Sequence, residues 1–187
     1  LPAQLQVERY AQAAARGEPV YRIDPGATLV TLTVPRAGSL ARLGHDHIIA
    51  SRSVQGYVAA GQGDTDLYLP LAELSVDEPA LRAQAGLDTQ PTAADIEGTR
   101  MNMQDKVLEI QRYPHALVQV RGARVPSPAA GTVPAAAVTI ALHRTRRTLE
   151  VPLQAETSPG RLAVRGTLTL RQKDFGITPV SILGGGI

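Results

Sequence analysis

From Arg161 to Arg171 the chain alternates almost without error between apolar and polar positions. Leu162, Val164, Gly166, Leu168 and Leu170 fall on one phase, and Arg161, Arg165, Thr167, Thr169 and Arg171 on the other; only Ala163 blurs the polar side. A period of two predicts a half-buried β-strand, because successive side chains point to opposite faces of a sheet. Two shorter runs come first: Val138, Ile140, Leu142, and then Leu149, Val151, Leu153. The basic tetrad Arg144-Thr145-Arg146-Arg147 separates those two, and Ser158-Pro159-Gly160 separates the second from the long run. Residues 137–177 therefore read as an antiparallel meander with one apolar face to hide.

The rest of the chain is less regular. Residues 3–16 are rich in Ala and Gln, end at Gly17, and read as a short helix or a loosely attached arm. Tyr21-Arg22-Ile23-Asp24-Pro25-Gly26 opens a strand through a turn, and residues 29–34 continue it. Residues 35–44 form a connection, 45–57 another strand, and 67–71 a third. Residues 92–108 are the best helix candidate: Thr92 can cap it, Asp95 and Glu97 suit its first turns, and Met101, Met103 and Leu108 can be buried. Gly98 costs that helix some stability. Tyr113-Pro114 breaks the pattern, 116–125 return to strand, and 126–134 form a Pro/Ala/Gly loop. No internal repeat is visible. The organisation expected is a helical arm over residues 1–19 and one mainly β domain over 20–187, with one or two helices.

Composition narrows the function. At 187 residues the chain can bury one sizeable core. It has one Phe, no Trp and five scattered Tyr, a poor supply of platforms for stacking nucleic-acid bases. A net charge of +2 is too small to suggest a phosphate-backbone partner. With no cysteine there is no thiol chemistry and no Cys-ligated metal. No run is long and apolar enough to span a bilayer as a helix. The chain begins at Leu1 and not at a methionine, so the absence of a targeting segment says nothing.

A set of landmarks then points to a family. These are Tyr21-x-Ile23-Asp24, Arg100-x-x-Met103 followed by Val107-Leu108, and Tyr113-Pro114. The hairpin Thr139-Ile140-Ala141-Leu142-His143 and the segment Leu170-Arg171-x-x-Asp174-Phe175-Gly176-Ile177 complete the set. In this order, from Tyr21 to about Leu183, the chain resembles the YceI-like, or polyisoprenoid-binding, domain. The Asp-Phe-Gly triplet is not the kinase motif, because no Gly-rich loop accompanies it and its surroundings are strands. The resemblance implies a mainly β fold: an antiparallel, lipocalin-like β-barrel with an apolar internal pore and one or two α-helices. It also implies periplasmic or secreted location, a bound isoprenoid or other lipid, and no catalytic residues. Three departures stand out. Arg144-Thr145-Arg146 replaces the usual Gly-Val-Thr after His143, the insert at 77–92 is long, and the chain stops at Gly184-Gly185-Gly186-Ile187 where the family continues into another strand. A barrel lacking its last strand would expose an unpaired edge, open to a second copy of the chain or another partner.

Several residues could carry the function. Ile49, Met101, Met103, Leu142, Leu149, Val151, Leu168 and Leu170 are the expected lining of the cavity, with Val107 and Leu108 beside the methionines. Met suits such a channel because it fills irregular gaps. Arg144 and Arg146, with Arg147, concentrate charge at a hairpin tip and could meet an anionic head group while its tail enters the barrel. His45 and His47 fall on one side of a strand and could share a metal ion or haem with a third ligand, His115 or His143; Asp46 would point away. Backbone bonding at a strand start is the plainer role for both. His143 is expected to brace the hairpin backbone, Phe175 to pack in the core, and Asp77-Glu78 to sit solvated in a turn. A serine or cysteine nucleophile finds no support. The resulting expectation is a binding protein that sequesters or transports a lipophilic molecule, an isoprenoid, quinone or acyl chain, and requires no cofactor. The alternatives are a metal- or haem-binding accessory protein using His45 and His47, and a non-enzymatic interaction module.

Overall fold

The computed structural model describes residues 5–36, 45–87, 89–123, 133–178, 181–182 and 185–186. Its strands are β1 (Val20–Arg22), β2 (Val30–Val34), β3 (His47–Ser51), β4 (Gln55–Ala59), β5 (Asp64–Pro70) and β6 (Ser75–Val76). They continue with β7 (His115–Val120), β8 (Val133–Leu142), β9 (Thr145–Ser158), β10 (Arg161–Gly166), β11 (Ser181–Ile182) and β12 (Gly185–Gly186). Helices are α1 (Val7–Ala15), α2 (Pro79–Gln84) and α3 (Ala93–Asn102). Seven strands form one antiparallel sheet in the order β1-β4-β5-β7-β8-β9-β10, curled into a nearly closed barrel, and β2-β3-β6 form a second sheet. The fold is mainly β with an antiparallel barrel, as the alternation and the family resemblance imply.

Register sorts the side chains onto two faces. Gly56, Leu67, Val118, Ile140 and Arg147 form one row across β4, β5, β7, β8 and β9, and Val58, Thr65, Val120, Val138 and Leu149 form the next. These rows face inward. Gly56 is obligatory there, since a Cβ on its backbone (φ 149°) would lie 2.1 Å from the Asp66 carbonyl oxygen. The intervening rows, Tyr57-Asp66-Gln119-Thr139-Thr148 and Gln55-Tyr68-Leu117-Ala141-Arg146, face outward. Two buried clusters fill the inside. One holds Val54, Leu69, Leu71, Leu74, Val76, Met103 and Ala116. The other holds Val120, Ala136, Val138, Ile140, Val151, Phe175 and Ile177. Val118, Leu108 and Leu142 pack against both and join them into one core.

Several expectations are corrected. Residues 45–57 are two strands, β3 and β4, because Val54 turns into the core with no exposed surface. The strand expected over 161–171 leaves its ladder after Gly166. There the chain crosses inward so that the short 3-10 turn Gln172–Phe175 can bury Phe175, which is 2% exposed. Arg147 holds that turn, donating to the Asp174 carbonyl at 2.8 Å. Helix α2 occupies the insert where only a turn was expected; it starts with Pro79 in its first turn, where a missing N–H costs nothing. The strand at 116–125 is β7, and Val125 with most of the 126–134 loop lies outside the described residues. Strands β11 and β12 pair with each other, so among the described residues no strand joins the free edge of β10.

The helices are placed by identifiable contacts. The expected helix forms with a full capping box: Thr92 Oγ1 accepts from the Asp95 N–H at 3.2 Å, and Asp95 Oδ2 accepts from the Thr92 N–H at 2.9 Å. It ends in a π-helical turn, Met103–Val107, closed by the Leu108 N–H on the Met103 carbonyl at 2.8 Å. Such turns are rare and rotate side chains relative to an α-helix. Met103, the first residue of the turn, is buried in the core, while Met101, two positions earlier on α3, is 52% exposed. Helix α1 is not loosely attached. It docks on the outer face, with Tyr10 and Ala13 buried, the Tyr10 ring stacked 5.5 Å from that of Tyr57, and the Tyr10 hydroxyl donating to Asp66 Oδ2 at 2.9 Å. Burial and that bond to Asp66 both push the Tyr10 pKa up. Asp66 is buried but satisfied, accepting also from Gln119 Nε2 at 2.7 Å and Arg121 at 2.6 Å. Arg9 pairs with Asp64 beside it.

Candidate ligand-binding site

The inner face carries a largely apolar surface because β7, β8 and β9 keep their alternation in register from Ala136 to Leu142. Of the residues expected to line a cavity, Met103 and Val151 are buried, and Ile49, Leu142 and Leu149 are half-buried against the same core. Val107 and Leu108 close over them from the π turn. These residues come together, and side chains fill the space between them. Met101, Leu168 and Leu170 do not join them: Met101 sits on the exposed side of α3, and Leu168 and Leu170 are 39% and 36% exposed.

The same inner face is open farther along. Register places Gly166, Val164 and Leu162 of β10 opposite Leu153, Ala155 and Thr157 of β9, on the phase of Leu149 and Val151. Among the described residues nothing covers them as Phe175 covers the neighbouring strands, and Val164 is 48% exposed. Beyond the end of the ladder at Gly166, Leu168 and Leu170 add two further exposed apolar side chains. On the second sheet, Leu32 of β2 lies opposite Ile49 and is 39% exposed.

The basic hairpin sits elsewhere than expected. Leu142 pairs with Thr145, so His143 and Arg144 form a two-residue turn. Arg147 faces inward and is bound to the Asp174 carbonyl, whereas Arg146 lies opposite Ala141 on the outer face. A head group held by Arg144 and Arg146 would therefore be on the other side of the sheet from the apolar interior. His143 does not brace the hairpin backbone through its ring. Its Nε2 lies 3.3 Å from Glu109 Oε1, and its ring packs 4.1 Å from that of Tyr113.

The histidine segment shows what sequence reasoning missed. His47 Nδ1 is 2.7 Å from Asp77 Oδ2, and the side chain of Asp77 has no exposed surface. Asp77 also accepts from the Ile48 N–H at 3.0 Å and from Arg82 at 2.6 Å; Arg82 in turn donates to the carbonyls of Asp46 and Thr89. Burial raises the Asp77 pKa, but the bonds from His47, Ile48 and Arg82 outweigh it and hold the carboxyl below its ordinary value. Asp77 is thus not a solvated turn residue; it ties β3 to α2. The only signal in the sequence was Pro79 two residues on, which marks the helix start that brings Arg82 to Asp77. His45 Nδ1 is buried and has no hydrogen-bond partner among the described residues. Among the described residues no three His, Asp or Glu side chains are grouped to hold a metal ion.

No family model matches the chain, and no curated protein matches it. Among solved structures it is similar to a polyisoprenoid binding domain from Saccharophagus degradans implicated in plant cell wall breakdown. The TM-score is 0.59 at 14% identity, over 86% of this chain and 82% of that one. The two share a fold.

Proposed function

We propose that this chain binds a lipophilic small molecule, an isoprenoid, quinone or acyl chain, along the apolar inner face of its barrel and carries out no chemistry of its own. The observation that carries this reading is the uncovered stretch of that face, Leu162 and Val164 on β10 with Leu168 and Leu170 beyond it. Exposed apolar surface rimmed by polar residues marks a place where something apolar is received. A prenyl or acyl chain laid there gains about 0.8 kcal/mol per buried methylene and needs no polar anchor. The fold is that of a solved domain described as polyisoprenoid binding, and the chain's own landmarks resemble the same family. Among the described residues no helix is long and apolar enough to cross a membrane; we place the protein in the periplasm or outside the cell on the family resemblance.

Native mass spectrometry of the purified protein, followed by organic extraction, tests the reading. The expected result is a co-purifying lipid, or saturable binding of a fluorescent farnesyl probe that is lost in the Val164→Ser, Leu168→Ser, Leu170→Ser triple variant. An empty protein that binds no isoprenoid, quinone or acyl probe overturns it.

A further inference from the structure

We propose a second binding site, for a phosphate-class oxyanion, on the outer face of the sheet at the β8–β9 hairpin, on the side away from the apolar interior. Its construction follows from register. Leu117, Ala141 and Arg146 are direct cross-strand neighbours on β7, β8 and β9. One step along the same face stand His115 and His143, with Arg144 in the turn beside them. The residue at the centre, Ala141, is the smallest of the group, and the larger side chains around it leave a cleft of about 210 Å³. His115, Leu117, Ala141, His143, Arg144, Thr145 and Arg146 line that cleft.

Charge gives the occupant its chemistry. Arg144 and Arg146 have no carboxylate partner among the described residues, whereas Arg9, Arg52, Arg82 and Arg121 all lie in ion pairs. The carboxylate bonded to this group, Glu109, is already engaged, accepting from Arg112 at 2.8 Å as well as facing His143. Arg144 and Arg146 both line this cleft with its small-residue floor, and two guanidinium groups suit the tetrahedral oxygens of phosphate because each planar fork can donate two bonds. Burial lowers the His115 pKa and so favours its neutral ring, which can still offer a hydrogen bond. Leu117 and Ala141 give the ester side of the ligand an apolar seat.

The backbone around the cleft is held in an unfavourable conformation. His143 (φ 56°) and Glu109 (φ 46°) both adopt the left-handed region, which costs a non-glycine residue energy, and their side chains meet. At the first position of a two-residue hairpin turn, glycine would relieve this cost. Retaining a histidine there keeps its ring on Tyr113 and fixes the direction in which Arg144 leaves the turn.

Free phosphate and the phosphate of a lipid head group share this chemistry, and two measurements separate them. Isothermal titration uses inorganic phosphate and pyrophosphate; co-sedimentation uses phosphatidic acid vesicles against phosphatidylcholine vesicles. Both are run on the wild type, on Arg144→Gln/Arg146→Gln, and on Ala141→Leu, which fills the floor while keeping both arginines. Binding of the free ions that falls by about tenfold or more in both variants establishes a soluble phosphate ligand. Binding confined to phosphatidic acid vesicles, lost in the same variants, establishes a head group. No binding of any probe at millimolar concentration, or binding unchanged in either variant, overturns the site. Retained far-UV circular dichroism shows that each variant is folded, and the outcome is independent of whether the interior takes a lipid.

Discussion

The inner face of this barrel has two halves built from the same pattern and treated in opposite ways. Over β7, β8 and the first part of β9, the inward row is covered by the π turn after α3 and by the turn that carries Phe175 and Ile177. Over β10 the same alternation continues, but among the described residues no element lies on it, and Val164 is 48% exposed. The strands do not differ in kind. What differs is whether another segment of the chain returns to cover them. Alternation fixes which side chains share a face; burial needs a second layer. The covered half is a core, and the open half is where a ligand can supply the missing layer.

This comparison can be broken most severely at Phe175. Phe175→Ala removes the largest side chain from the covered half and should lower the unfolding free energy by about 3–5 kcal/mol, read from urea unfolding. A loss under about 1 kcal/mol would mean that the turn does not hold that half together. Met103→Ala, on the other plug, is expected to cost about 2–5 kcal/mol by the same measurement.

Acid should distinguish the polar clamp beside the covered half. Because Asp77 is held below its ordinary value of about 3.9, its contribution is present above that pH and is lost as pH falls through its folded-state value. As pH falls below that ordinary value the wild type should therefore lose stability more steeply than Asp77→Asn. Parallel pH profiles for the two proteins would remove Asp77 from the account.

The smallest stability effect is expected in the open half. Val164→Ser and Leu168→Ser should change unfolding free energy by no more than about 0.5 kcal/mol each, as for other exposed positions. Their effect should fall on the farnesyl probe instead. Destabilisation comparable to that of Phe175→Ala would show that a part of the chain covers β10 after all, and would merge the two halves.

Much of the fold was legible in the chain, for physical reasons that can be named. The meander showed because a half-buried antiparallel strand must alternate, and Val138, Ile140, Leu142, Leu149, Val151 and Leu153 all face as their parity requires. Thr92 and Asp95 were legible as a helix start because capping is local. Asp77 was not. As a carboxylate beside Glu78 it looks solvated, and it is buried only because His47, 30 residues earlier, and Arg82 on α2 converge on it. Met101 and Met103 look alike in sequence, yet two positions apart on a helix they face nearly opposite ways, and only the packing of the helix on the sheet decides which one is buried. The arginines of the hairpin were legible as a charged tip, but which of them face outward depends on the pairing of Leu142 with Thr145.

The sequence by itself determined the faces: period-two alternation, a local cap and a two-residue turn are properties of neighbouring residues and survive without knowledge of distant ones. Only the tertiary structure decided the covers. Whether an inward side chain is core or open surface, and whether an outward alanine is plain surface or the floor of a cleft, depends on segments far away in the chain. Among the described residues Phe175 packs with Val138 and Ile140 and nothing covers Val164, while His115 and Leu117, far earlier in the chain, line the cleft beside Ala141. Those contacts are set by packing between elements, which no local pattern encodes.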